Sequence, residues 1–161
     1  MPSQPDILAA ADETARNLAQ TLLTAKHASL SYANAETGRP SISRIAFGML
    51  PDGPPVTLIS SLAPHYDGLQ SSAHCALMVG EPADRGDPLT HPRLMIHARA
   101  SFVSADDPQR SEIRRHWLAS HPKSKLYVDF ADFSFVTFEV EDAVLNAGFA
   151  KAFRMTPEDL R

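Results

Sequence analysis

Ser41, Ser43 and Arg44 fall on one strand-like run, Ser60 and Ser61 close the next, and His65 opens the segment after it. Arginine offers a charged fork of donors and serine a hydroxyl, while the first turn of a helix adds unpaired backbone N–H groups. Together these make an anion site, and a phosphate can be held this way without a glycine-rich loop. In a hairpin turning at 51–55, positions 44 and 60 come close, so Arg44 and Ser60 are expected to meet one ligand. The same residues also fit a serine-rich strand end with a solvated arginine. Both readings stand at this point.

Other chemistry is excluded more firmly. There is no Gly-x-Gly-x-x-Gly, no Gly-Lys-Ser/Thr and no Gly-x-Ser-x-Gly, so neither a dinucleotide cradle, a P-loop nor a nucleophile elbow is encoded. The seven histidines never take a zincin spacing. His91 and His97, on one strand, would stand about 20 Å apart, too far to share a metal. No metal site is expected. His97, Tyr66 and Tyr127 have protons to give, although packing is the plainer role for each. Cys75 is the single cysteine and lies in the apolar run Cys75-Ala-Leu-Met-Val79, which suits a buried, inert thiol rather than a nucleophile.

A formal charge of −4 gives no cationic footprint for nucleic acid or an anionic membrane. No apolar stretch approaches the roughly 20 residues that span a bilayer, and the start of the chain lacks a basic segment followed by an apolar one. These features point to a cytoplasmic protein. At 161 residues and 43% hydrophobic, the chain suits a single domain, 1–161, with a true core.

The elements that must position the candidate site follow from periodicity. Residues 1–5 read as a loose tail. Residues 6–25 read as a helix, with Ile7, Ala11, Ala15, Leu18 and Leu22 on one face. Strands are expected at His27–Asn34 and at Ser41–Leu50, where Ile45, Phe47 and Met49 share a side. Pro51-Asp-Gly-Pro-Pro55 turns the chain, and Val56–Ser61 returns as partner, making 41–61 a hairpin. A helix at 65–73, a strand at Cys75–Glu81, a loop over 82–92 and a long strand at Arg93–Ser104 follow. Asp106–Ser120 has helical spacing, with Ile113 and Trp117 one turn apart and Asp106 or Asp107 as N-cap. Two strands, Phe133–Val140 and Val144–Phe153, complete six or seven. Such a run closes most easily as a barrel, which removes exposed edges.

The order of these segments resembles the pyridoxamine 5′-phosphate oxidase-related, FMN-binding split-barrel superfamily, and within it the branch of heme-utilisation proteins. The stretches that carry the resemblance are Gly38-Arg-Pro-Ser-Ile-Ser-Arg44, Leu58-Ile-Ser-Ser-Leu-Ala-Pro-His65, Ala76-Leu-Met-Val-Gly-Glu-Pro82, Asp87-Pro-Leu89, Pro92-Arg-Leu94, Phe130-Ala-Asp-Phe-Ser-Phe135 and Gly148-Phe-Ala-Lys-Ala152. The match as a whole covers nearly the entire chain, from 14 to 153. The resemblance implies a mainly β fold with peripheral helices, a six-stranded antiparallel split β-barrel. It further implies a homodimer with two equivalent flavin sites at the interface, FMN as cofactor, and an oxidoreductase acting on a small molecule.

Carried onto this chain, the FMN phosphate falls to Arg44 with Ser43, to Ser60 or Ser61, and to His65. Arg93 begins the strand that approaches the isoalloxazine edge, and Lys151 takes the place of a common arginine. A donor such as Arg93 near that edge would stabilise negative charge on reduced flavin. Two departures stand out. Asp67 occupies a position that is commonly basic, and a carboxylate disfavours a dianionic phosphate. The heme-degrading relatives ligate iron through a histidine in a further C-terminal segment, whereas the last histidine here is His121. Three functions are therefore in play: a flavoprotein, a heme-binding or heme-degrading protein, and a dimeric barrel that has lost its cofactor.

Overall fold

Period-two alternation becomes a nine-stranded, largely antiparallel sheet with three helices around it in the computed structural model, which describes residues 8–161. In chain order the elements are β1 (Ala9–Ala10), α1 (Glu13–Leu22), β2 (His27–Ala33), β3 (Pro40–Ala46), β4 (Gly48–Met49), β5 (Pro55–Ser60), α2 (Pro64–Ser71), β6 (His74–Val79), β7 (Arg93–Phe102), α3 (Arg110–Ser120), β8 (Phe133–Gly148) and β9 (Lys151–Met155). Neighbours run β1-β9-β8-β7-β6-β2-β3, with β5 against β8 and β4 against β5. The sheet does not close. β3 comes beside β5 without a ladder, and the Thr57 hydroxyl, donating to Ala46 O at 2.6 Å, spans that seam.

The inner face carries Leu30, Leu77, Leu94, Ile96 and Leu145, all essentially buried, and α1 adds Ala15 and Ala19 to that core. A second cluster forms where α3 lays Ile113 and Trp117 on Val56, Leu58 and Phe135. Burying a side chain of this size is worth roughly 2–3 kcal/mol. Because β5 is covered on both faces, its sequence reads as a nearly continuous apolar run. The side chains that alternate with the core residues on β2, β6 and β7 are mostly small, polar or charged, with Met78 and Met95 the large apolar exceptions, and form an outer face without a covering layer. Across it run two rows in register: Arg44, Ser29, Met78, Met95, Val144; and Ile42, Ser31, Ala76, His97, Asp142.

Several expectations are corrected. The helix expected over 6–25 is confined to Glu13–Leu22, because Ala9 and Ala10 pair in parallel with Phe153 and Arg154 and are extended. Asp12 then caps it, accepting from Ala15 N at 2.7 Å. The expected tail 1–5, residue 6 and Ile7 lie outside the described residues. The hairpin over 41–61 survives only as Gly48 opposite Val56 and Met49 opposite Pro55. Beyond those pairs β2 takes β3 and β8 takes β5, so Arg44 faces Ser29 and Ser60 faces Phe133. Neither Asp106 nor Asp107 caps α3. Gln109 is the N-cap, and Asp107 instead accepts from the Gln109 N–H at 2.8 Å.

The two strands expected at 133–140 and 144–153 are replaced by one 16-residue strand, β8, and the short β9. A register shift opposite His97 and Ala98 leaves Glu141 unpaired. Such a bulge bends and twists a strand without ending it. β8 thereby offers one edge to β5 near its start and to β9 near its end, while β7 takes the other edge from Val136 to Asn146.

Candidate functional site

The seven sequence-predicted ligands fall in three places. Ser43 and Arg44 are consecutive on β3 and so face opposite ways, Ser43 toward the core side and Arg44 onto the outer face. Arg44 is exposed, and its guanidinium has no hydrogen bond or ion pair among the described residues. Ser60, Ser61 and His65 gather at the β5–α2 turn. Arg93 and Lys151 lie at the far end of the sheet, where Arg93 opposes Asn146 and Lys151 opposes Gly148. Arg44 and Arg93 are three strands apart, roughly 14 Å across the sheet. No single chain brings the three groups together.

The β5–α2 turn is built tightly but not for an anion. Ser60 Oγ donates to Asp132 Oδ2 at 2.7 Å and accepts from Leu62 N at 3.1 Å, so its one proton is already committed and is not offered to an anion. Ser61 N–H donates to Asp132 O at 2.7 Å, leaving its side chain exposed. α2 starts at Pro64, with no side-chain cap and with Asp67 in its first turn. The cleft of about 280 Å³ at this helix start is lined by Glu36 and Asp67, with Asn34, Leu62 and Pro64. His65 turns inward and meets the edge of Tyr32 at 6.0 Å between ring centres. Its Nδ1 is buried without a partner, and burial lowers its pKa below the ordinary imidazole value. α2 can lie this close to β2 because position 68 is glycine. A Cβ there would stand 2.4 Å from Tyr32 Cδ2 and 2.7 Å from Ala33 O.

At the other end, the Arg93 guanidinium donates to Leu89 O at 3.0 Å and His91 O at 3.4 Å, holding the 88–91 turn in place. Lys151 is exposed beside the β8–β9 tip. The expected FMN set thus offers one available cation on the outer face, two more at the far end, and carboxylates around the helix start. Within one chain these residues do not form a phosphate cradle.

Cys75 is half-buried rather than the fully buried thiol expected. Its Sγ lies 3.5 Å from Ala98 O, and burial, reinforced by Glu141, pushes the thiol up to about 12. A thiol that stays protonated is neither nucleophile nor metal ligand. Among the described residues no group of three or more His, Cys, Asp or Glu could hold a metal ion, and no helix is long and apolar enough to cross a membrane.

One pair on the outer face was not anticipated. His97 Nδ1 lies 2.7 Å from Asp142 Oδ1, with both side chains about half exposed. Beside His97 is a shallow hollow of about 310 Å³ floored by Ser31, Ala33 and Ala76 and edged by Gly38 and Pro40. Its wider surroundings are apolar and open: Ile42 is 76% exposed and Met78 44%. The two partners are 45 residues apart in sequence, and their register depends on the bulge at Glu141, so no local signal announces the pair.

Comparison with known proteins adds three findings. The chain is 36% identical over 124 residues to the chloroplastic heme oxygenase HOZ of Arabidopsis thaliana, a match covering 76% of this chain and 36% of that protein. It superimposes on a heme-binding protein from Mycobacterium smegmatis with a TM-score of 0.81 at 23% identity, over 93% of this chain and 61% of that one. It also superimposes on a Clostridium acetobutylicum protein related to general stress protein 26, of the pyridoxinephosphate oxidase family, with a TM-score of 0.69 at 15% identity, over 94% of this chain and all of that one. The chain therefore spans about a third of the length of the curated relative it matches. No family model matches it.

Proposed function

We propose that the chain, which has the fold of a pyridoxinephosphate oxidase-family protein and is similar in sequence to a heme oxygenase, is a heme-binding member of the pyridoxamine 5′-phosphate oxidase-related split-barrel superfamily acting as a homodimer. One observation carries the choice of heme over FMN. The turn that would have to grip a dianionic phosphate is lined by Glu36 and Asp67, and its Ser60 is held by Asp132. A dianion beside three carboxylates is repelled, whereas heme carries no phosphate and needs a flat apolar seat with a cation for its carboxylates. The outer face supplies both, in Ala76, Met78 and Ile42 and in the unpaired Arg44. The likeness to a heme oxygenase in sequence supports the same choice.

The homodimer is supported by the charge layout of that face. Across β3-β2-β6-β7-β8, Arg44 lies at one side and Asp142 at the other. A two-fold axis near β6 sets each Arg44 over the acidic side of its partner, the self-complementarity an isologous contact requires.

Bound heme would supply a redox-active iron. The chain's own part is to seat the ring on small residues, to pair its carboxylates and to limit water at one side. FMN is the competing ligand, supported by Arg44, which is free to take a phosphate from the seam between copies. Absorption titrations of the purified protein with hemin and with FMN separate the two: saturable hemin uptake supports the proposal, and saturable uptake of FMN alone overturns it.

A further inference from the structure

We propose that acid takes the homodimer apart by charging the three histidines of the outer face, His27, His74 and His97; this rests on the homodimer reading above and not on the choice of ligand. Three of the seven histidines project from this one face, on β2, β6 and β7. Each has a carboxylate beside it. His97 Nδ1 lies 2.7 Å from Asp142 Oδ1, His74 Nδ1 3.9 Å from Glu141 Oε1 and His27 Nδ1 3.8 Å from Glu81 Oε1. In a single copy all three rings are exposed to solvent, the source of the protons.

The consequences of a proton differ from ring to ring but share a sign. The Asp142 carboxylate is an acceptor with no proton to give, so His97 Nδ1 donates to it and the neutral ring leaves the pair with one net negative charge. A proton taken up at His97 Nε2 keeps that hydrogen bond and cancels the charge that draws the partner's Arg44. Around His97 stand Glu139 and Glu141 on β8, Arg99 on β7 and His74 on β6. His74 Nε2 accepts from Arg99 Nη1 at 3.0 Å. Protonation of His74 occupies that lone pair, releases the guanidinium and sets two cations side by side.

The two-fold relation turns these local changes into repulsion between copies. β6 is the middle strand of β3-β2-β6-β7-β8, so it meets the partner's β6, while β2 meets the partner's β7 and β3 the partner's β8. His74 on β6 then faces the partner's His74, with Arg99 beside it in each copy. His27 lies two residues before Ser29 on β2 and Arg93 two residues before Met95 on β7, so His27 comes over the partner's Arg93. With the rings neutral the face is close to balance, its arginines at 44, 93 and 99 set against Glu81, Glu139, Glu141 and Asp142. Three more cations on each copy make two like-charged faces, and like charges juxtaposed in a contact are strongly unfavourable. A lone copy takes up the same protons without meeting a second face. Protons therefore bind the monomer more readily than the dimer, and by linkage acid favours the monomer. His65 on α2 and His116 and His121 on α3 lie off this face.

The test is sedimentation equilibrium of the full chain at about pH 7.5 and about pH 5.5, at one ionic strength, with circular dichroism confirming the fold at both. It compares the wild type with a variant that combines His27→Gln, His74→Gln and His97→Gln. The wild type should be dimeric at the higher pH, with a dissociation constant roughly tenfold or more larger at the lower. The triple variant should dimerise equally well at both, because glutamine still hydrogen-bonds but takes up no proton. A wild-type dimer equally tight at both pH values overturns the proposal and leaves the homodimer reading standing. A triple variant that dissociates in acid as the wild type does also overturns it, since the charge then enters elsewhere. A wild type that is monomeric at both pH values sinks the homodimer reading and the proposal together.

Discussion

Ser60 and Asp132 are joined through the serine hydroxyl, which donates to the carboxylate at 2.7 Å and ties the end of β5 to the start of β8. A hydrogen bond to a charged group contributes about 1.5–3 kcal/mol when shielded, and less at this half-buried site. Asp132→Ala should therefore lower stability by about 1 kcal/mol, read as a fall in the urea midpoint at unchanged slope. An unchanged midpoint would show that the turn is held by its backbone bonds alone.

Gly68 tests the packing that seats α2. Glycine to alanine inside a helix usually stabilises, by up to about 1 kcal/mol. Here the new methyl meets the Tyr32 ring and Ala33 O well inside van der Waals contact, so the sign reverses. Gly68→Ala should cost about 2–3 kcal/mol, in the range of overpacked cores. Pairing it with Tyr32→Leu should not relieve the whole cost, because the clash with the Ala33 carbonyl persists.

Acid should weaken the fold from near-neutral pH. His65 and His121 are both held below their ordinary pKa of 6.5, chiefly because burial disfavours the charged ring. With the folded pKa depressed, the unfolded chain takes up protons first as pH falls. The stabilisation is complete above about pH 6.5 and drains away below it, down to the folded values. Urea midpoints at pH 7.5 and 5.5 should differ for the wild type and draw together in the His65→Gln, His121→Gln double variant. A flat wild-type profile across this window would contradict the placement of both rings.

The outer face predicts the assembly. Sedimentation should give a mass near twice 17.6 kDa, and Met78→Asp, which sets a carboxylate at the middle of that face, should yield a monomer with an unchanged far-ultraviolet spectrum. A dimer that ignores Met78→Asp would place the contact elsewhere.

Local signals in the sequence were sufficient where the structure is locally determined. Ile113 and Trp117, one helical turn apart, are both buried on α3, and the alternation in β2 and β7 reproduces inner and outer faces. The turn at 51–55 is also correct, with Asp52 at φ 48° and Gly53 N–H donating back to Leu50 O. What it could not convey is how far the flanking strands stay paired. β2 and β8 compete for β3 and β5 from distant parts of the chain, and their claim ends the hairpin after two residue pairs.

The same reason hid the site. Arg44 and Ser60 are in step if a hairpin is assumed and are separated once each strand takes its true neighbour. His97 and Asp142 meet because a bulge at Glu141 sets the register of β7 on β8. In the sequence, the polar run Glu139-Val-Glu-Asp142 instead suggests a strand break. Asp67, by contrast, was legible through the family resemblance, as a carboxylate at a commonly basic position, and the structure adds Glu36 and Asp132 to the same acidic turn.

The most direct measurement is an equilibrium titration of the wild-type protein, with hemin followed by absorption and FMN by fluorescence, in the same buffer. A heme-binding split barrel with an acidic β5–α2 turn should take up hemin saturably, with one shifted Soret spectrum. FMN should remain unsaturated up to about 100 μM, a binding free energy no better than about −5.5 kcal/mol. Saturation by micromolar FMN with no defined hemin complex would contradict the proposal and return the phosphate to Arg44.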